Sequence, residues 1–191
     1  METRQALLTR RSIRRYRPDP IPEQDLQEIL ETGLYAPSGV NLQPWYFVAV
    51  QSQEALDEVK ELMGGVVERF RPVLKERFQR HPEQVGITSR FLTSLGGAPV
   101  CLLAFFYKPE YPSRDGTMQS VAAAIENMLL AAWDKGIGSC WMTAPQQMGF
   151  GPELQRRFAP DKGEFIAMIT LGYPEGEAKL PPRRDGRYTI V

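Results

Sequence analysis

At 191 residues the chain is long enough for one sizeable core and short for two full domains, so residues 1–191 are expected to form a single domain. Hydrophobic residues make up 42% and charged residues 24%, and 23 Lys+Arg balance 23 Asp+Glu. That is the composition of an ordinary globular protein, and it points to neither nucleic acid nor membrane as a partner.

Residues 3–11 read as a short basic helix. Pro18, Pro20 and Pro22 then force an extended segment. Pro22 opens the next helix, with Glu23 and Asp25 near the positive end of its dipole. Leu26, Ile29, Leu30, Gly33 and Leu34 follow at helical spacing, and Ala36-Pro37-Ser38-Gly39 ends the run. Trp45 to Val50 reads as a strand. Residues 53–80 keep helical periodicity but are charged and interrupted by Gly64-Gly65 and Pro72, which predicts two helices, or a helix and a mobile excursion. A short helix over 83–94 breaks at Gly96-Gly97-Ala98-Pro99. The unbroken apolar run Val100 to Tyr107 predicts a buried strand, and 108–116 a loop. Residues 117–135 form the clearest helix, with Val121, Ile125, Met128, Leu129, Ala132 and Trp133 on one face and Gly136 as its stop. A short strand at Ser139 to Thr143, a short helix at Gly151 to Phe158 and a second buried strand at Phe165 to Leu171 complete the body. The polar, Pro-rich tail from Gly172 ends in a strand-like Tyr188 to Val191. This order predicts an α+β fold: a central mixed or antiparallel sheet flanked by helices, with a tail that is expected to exchange with a partner subunit.

Cys101 and Cys140 lie inside apolar runs, outside any CxxC pattern, and read as reduced structural thiols. The one histidine, His81, sits in a charged stretch and reads as a surface residue, which leaves little room for a His-rich metal site or a Ser-His-Asp triad. No apolar stretch approaches the ~20 residues that span a bilayer. The charged and polar start, Met1 to Arg4, carries no secretory pattern, so a cytoplasmic location is the expectation.

Four constellations carry chemistry. Arg10-Arg11-Ser12-Ile13-Arg14-Arg15 puts four guanidinium groups and a hydroxyl within six residues. Planar forked donors pair bidentately with phosphate, although a solvated basic turn or a nucleic-acid contact would have the same composition. Ala36-Pro37-Ser38-Gly39-Val40-Asn41-Leu42-Gln43-Pro44-Trp45 holds amide side chains in a rigid loop, where they can read the edge of a planar heterocycle or simply make a polar turn. Gly136-Ile137-Gly138-Ser139-Cys140-Trp141 is either a close-approach turn or an ordinary helix-to-strand link; Trp141 stands where a G-x-G-x-x-G fingerprint needs glycine, which disfavours a tightly held NAD. Pro181-Pro182-Arg183-Arg184 is a basic tail or a second cationic clamp.

In this order, with Leu-Gly-Tyr-Pro at 171–174, these motifs resemble the FMN-dependent nitroreductase family nearly end to end. The resemblance implies an FMN phosphate held by Arg10, Arg11, Ser12 and Arg14, joined by Arg183 and Arg184. It implies Pro37, Ser38, Gly39, Asn41 and Gln43 along the flavin, from the other subunit of a homodimer, with Gly138 and Ser139 nearby. Residues 53–95 resemble the family's variable segment over the active site. Thr143-Ala144-Pro145-Gln146-Gln147 replaces a Pro-Ile-Glu-Gly-Phe motif of some members. The implied activity is transfer of hydride from NAD(P)H, a transient co-substrate, to a small oxidised molecule, by a ping-pong scheme without a dedicated acid–base side chain. Related flavin chemistry (enone reduction, dehalogenation) and an FMN-binding module without turnover stay open.

Overall fold

The structure, a computed structural model, describes residues 2–191. Four antiparallel strands, β1 (Trp45–Val50), β2 (Val100–Phe106), β3 (Gly138–Met142) and β4 (Phe165–Gly172), form one sheet in the order β1-β2-β4-β3. The central pair, β2 and β4, is buried along its whole length. Strands covered on both faces read as continuous apolar runs, and this explains their lack of alternation in the sequence.

Helices cover both faces. Cys101, Leu103 and Phe105 of β2 meet α3 (Gln53–Arg77) and α4 (Glu83–Ser94), while Leu102, Ala104 and Phe106 meet α2 (Glu23–Leu34) and α5 (Arg114–Asp134). The register slips between Ala104 and Phe105, leaving Ile166 of β4 as an unpaired bulge residue. A short α1 (Thr3–Thr9) packs on α5, and α6 (Ala144–Gln147) and α7 (Gly151–Phe158) lie against β4.

Three expectations need correction. Residues 53–77 form one helix, not two, and Pro72 lies inside it. An interior proline costs about 3 kcal/mol. Against that, the helix buries eight apolar side chains from Leu56 to Leu74, each worth about 1.5–3 kcal/mol, so packing outweighs the backbone penalty. The helix α5 begins at Arg114, where the Ser113 hydroxyl accepts from the Gly116 N–H, rather than at 117. Residues 188–191 form no strand on their own chain and lie exposed.

The paired glycines of α3 differ in kind. A methyl at Gly65 would meet the Phe150 ring at 2.8 Å, whereas one at Gly64 would meet nothing within 4 Å. Gly64→Ala is therefore expected to raise stability by about 0.5–1 kcal/mol through helix propensity. Gly65→Ala is expected to lower it by about 1–3 kcal/mol through overpacking. Thermal melts of the two variants check the pair.

Candidate active site

The segment 10–17 belongs to no helix or strand, yet its backbone is pinned on several sides. The Ile13 N–H donates to the Ser139 carbonyl (2.8 Å), Tyr16 N–H to Gly96 (3.0 Å), Arg17 N–H to Tyr173 (2.9 Å), and Glu175 N–H to Arg15 (2.9 Å). Ser12 pairs in parallel with Ser139, so the segment runs along the outer edge of β3. Ile13 and Tyr16 turn inward; the Tyr16 hydroxyl donates to the Ile13 carbonyl (2.6 Å) and shares a hydrogen bond with the Thr170 hydroxyl (2.8 Å). Burial raises the Tyr16 pKa far above its ordinary value. With those two side chains fixed inside, Ser12, Arg14 and Arg15 are left facing out.

Two glycines make this close lay possible. A Cβ at Gly138 would stand 2.5 Å from Ile13 Cγ1. One at Gly96 would stand 2.4 Å from the Arg14 carbonyl oxygen, and Gly96 has a φ of +66°, which side-chain-bearing residues rarely adopt. Gly138 and Ser139, read from the sequence as flavin neighbours, thus lie beneath the arginine segment; Ser139 is 1% exposed.

The arginines serve different ends. Arg11 is 8% exposed and donates to the carbonyls of Leu8 (2.8 Å) and Arg10, closing the C-terminal end of α1. Desolvation lowers its guanidinium pKa, and the nearby positive charges of Arg183 and then Arg10 lower it further. The positive charge of Arg183, from the far end of the chain, is thus felt at Arg11. Arg10 is ion-paired with Glu126 of α5 at 3.1 Å. Arg15 holds Glu175 at 3.0 Å. Arg14 has no carboxylate partner among the described residues and lies over the Phe91 ring, 5.9 Å from its centroid. Arg184 is exposed.

Arg14 and Arg15 stand between two cavities. The smaller, about 190 Å³, is lined by Ser12, Ile13, Arg14, Arg15 and residues 175–178. The larger, about 890 Å³, is walled mostly by α3 and α4: Phe70, Leu74, Arg77, Ile87, Arg90 and Phe91, with Ser94 and Gly96 also lining it. That volume falls in the upper part of the ~300–1,000 Å³ range of ligand sites. The resemblance set residues 53–95 over the active site but singled out none of these side chains, because residues scattered over that stretch converge only when the two helices form a hairpin.

The loop 36–43 is not brought to these cavities within the chain. Val40, Asn41 and Gln43 have φ of 45°, 57° and 46°, strained values for non-glycine residues. The Ser38 hydroxyl accepts from the Gln43 N–H (3.0 Å), and the Gln43 amide donates to Asn41 Oδ1 (3.1 Å). The loop is thus preset by its own side chains yet exposed, with Val40 at 93% and the adjoining Tyr35 at 87%. Pro37 and Gly39 are exposed as well, while Leu42 and Gln43 border a separate hollow beside Trp45, Tyr46 and Tyr107. Cys101 and Cys140 are buried; desolvation pushes the first up to about 12 and raises the second, so neither is an available nucleophile.

A helix-flanked antiparallel sheet with an arginine-bearing segment laid along one edge defines an α+β protein. Its family follows from comparison with known proteins: the Nitroreductase family profile matches residues 7–173, and the chain belongs to that family. The chain is 28% identical over 182 residues to a Bacillus subtilis protein named as an NAD(P)H nitroreductase, YfhC, covering 94% of this chain and 88% of that one. It is 30% identical over 210 residues to a Thermus thermophilus NADH dehydrogenase, covering 96% and 94%. A Bacteroides fragilis nitroreductase solved with bound FMN superposes with a TM-score of 0.77 at 27% identity, covering 100% of this chain and 99% of that one. No helix among the described residues is long and apolar enough to cross a membrane.

Proposed function

We propose that the protein is an FMN-dependent oxidoreductase, working as a homodimer, that passes hydride from NAD(P)H to a small nitroaromatic, quinone or related oxidised molecule. The observation that carries this reading is the outward-facing pair Ser12 and Arg14 at a small cavity, with Arg14 lacking a carboxylate partner among the described residues and the positive charge of Arg183 felt at neighbouring Arg11. Like charges from opposite chain ends repel, and an anion between them removes the cost. A phosphate fits this donor set, since forked guanidinium groups and a hydroxyl match its oxygens. Arg10, Arg11, Ser12, Arg14, Arg183 and Arg184 would hold it.

When bound, the flavin supplies the hydride chemistry, taking two electrons from NAD(P)H and giving them to the acceptor. The chain's own residues do the rest. Arg14, shared by both cavities, sets a positive charge where the phosphate-binding end opens toward the ring-binding end. Phe70, Leu74 and Phe91 give the larger cavity an apolar wall against which a ring can pack. Donor and acceptor use that cavity in turn, which is a ping-pong order.

The preset loop, with Pro37, Ser38, Gly39, Asn41 and Gln43, lines neither arginine-bearing cavity of its own chain and would supply the amide face of the second subunit's site. Exposed Tyr35, Val40 and Leu42, and the exposed tail residues Tyr188, Ile190 and Val191, supply apolar surface for a partner to cover. In this reading Gly138 and Ser139 act from beneath, by seating Ile13.

The purified protein is expected to be yellow, to bleach when NAD(P)H is added under nitrogen, and to regain colour with a nitroaromatic or quinone. Colour that survives NAD(P)H would mean a flavin-binding module without turnover.

A further inference from the structure

We infer that the larger cavity selects a planar aromatic acceptor carrying an anionic group, of the aromatic carboxylate class, through Arg77 and Arg90; this rests on the oxidoreductase reading above. The chain has no net charge, yet the cavity walls carry Arg14, Arg15, Arg77 and Arg90 against the single carboxylate of Glu175. Glu175 is already engaged by Arg15. Arg77 and Arg90 have no ion-pair partner among the described residues, and both are exposed at the cavity mouth. An arginine left unpaired over an apolar pocket keeps its fork free for an incoming carboxylate.

The same helix hairpin that carries these two cations also supplies the apolar wall. Phe70, Leu74 and Phe91 are buried behind it, and Ile87 is partly exposed beside them. Arg77 of α3 and Arg90 of α4 line the same cavity as this apolar surface, so a ring laid on the hairpin has unpaired cations from both helices around it. Of the groups that would hold the FMN phosphate in the proposed function, only Arg14 also lines this cavity; Arg77 and Arg90 are not among them.

The test is calorimetric titration of the oxidised, flavin-loaded protein with para-nitrobenzoate and with para-nitrobenzamide, its near-isosteric neutral counterpart. The carboxylate is expected to bind about fivefold tighter or more, the scale of one or two exposed charge pairs. In the double variant Arg77→Gln/Arg90→Gln that ratio is expected to fall toward one, and kcat/KM for the two acceptors to converge. Flavin content and melting temperature serve as controls for the fold. Equal affinities in the unmodified protein would overturn the inference, as would a ratio that survives the double substitution. A double variant that keeps the ratio but loses affinity for NADPH relative to NADH would overturn it too, by assigning the two arginines to the ribose phosphate of the donor. Failure of the oxidoreductase reading is seen separately, as a protein that NAD(P)H does not bleach, because the titration needs no turnover.

Discussion

Arg14→Ala is expected to release the flavin while leaving the fold intact. Arg14 is exposed, lines both cavities, and has no carboxylate partner among the described residues; its recorded contact is the Phe91 ring. Its loss therefore costs the folded chain little, within about 0.5 kcal/mol. Bound phosphate would lose a charge-assisted hydrogen bond worth about 1.5–3 kcal/mol, which weakens FMN binding roughly ten- to a hundredfold. Arg14→Lys keeps the charge without the fork and should fall between. Flavin retained on gel filtration and its dissociation constant by fluorescence quenching check the first part; a thermal melt checks the second. A lowered melting temperature with unchanged flavin content would make Arg14 a structural residue.

Gly96→Ala should damage both properties together. Its φ of +66° disfavours a side chain, and the new methyl would press at 2.4 Å on the Arg14 carbonyl, a backbone atom that cannot swing away. The left-handed conformation and the overpacking together cost roughly 2–5 kcal/mol, or about 5–15 °C in melting temperature for a chain of this size. The Gly96 carbonyl also accepts from the Tyr16 N–H, so a shift here moves the whole arginine segment. Loss of flavin with loss of stability in Gly96→Ala, set against loss of flavin alone in Arg14→Ala, separates the seating of the segment from its grip on the ligand. An unchanged melting temperature in Gly96→Ala would show that the segment is not seated on Gly96.

Much of the fold was legible because burial leaves a mark on composition. β2 and β4 stand out as apolar runs, and the α5 stripe from Val121 to Ala132 shows at helical spacing. The sequence misled where tertiary packing overrides local preference. Pro72 and Gly65 look like breaks, but the apolar face of α3 carries the helix through the first, and Phe150 fills the space left at the second. The Tyr188 to Val191 tail has the pattern of a strand, yet a strand needs a neighbour to pair with, and none on its own chain does so.

The site was legible in part. The basic character of 10–15 was plain in the sequence, and Ser12, Arg14 and Arg15 do face outward, with the charge of Arg183 felt at Arg11. Composition could not show that Arg11 is largely occupied as a helix cap, or that Gly138 serves by making room for Ile13. Nor could it reveal that Arg77 and Arg90 line one cavity, because their separation in sequence is closed only by the α3–α4 hairpin. The strain at Val40 and Gln43 is likewise invisible in residue types that disfavour the left-handed region, whereas Asn41 tolerates it.

The central claim is that guanidinium groups from both chain ends share one phosphate. It is tested most directly by titrating the flavin-free protein with FMN and with riboflavin, which differ only in that group. Affinity for FMN is expected to exceed that for riboflavin by about a hundredfold or more, from two or more charge-assisted hydrogen bonds, with the gap shrinking in an Arg10→Ala/Arg183→Ala variant. Equal affinity for the two flavins would contradict the account.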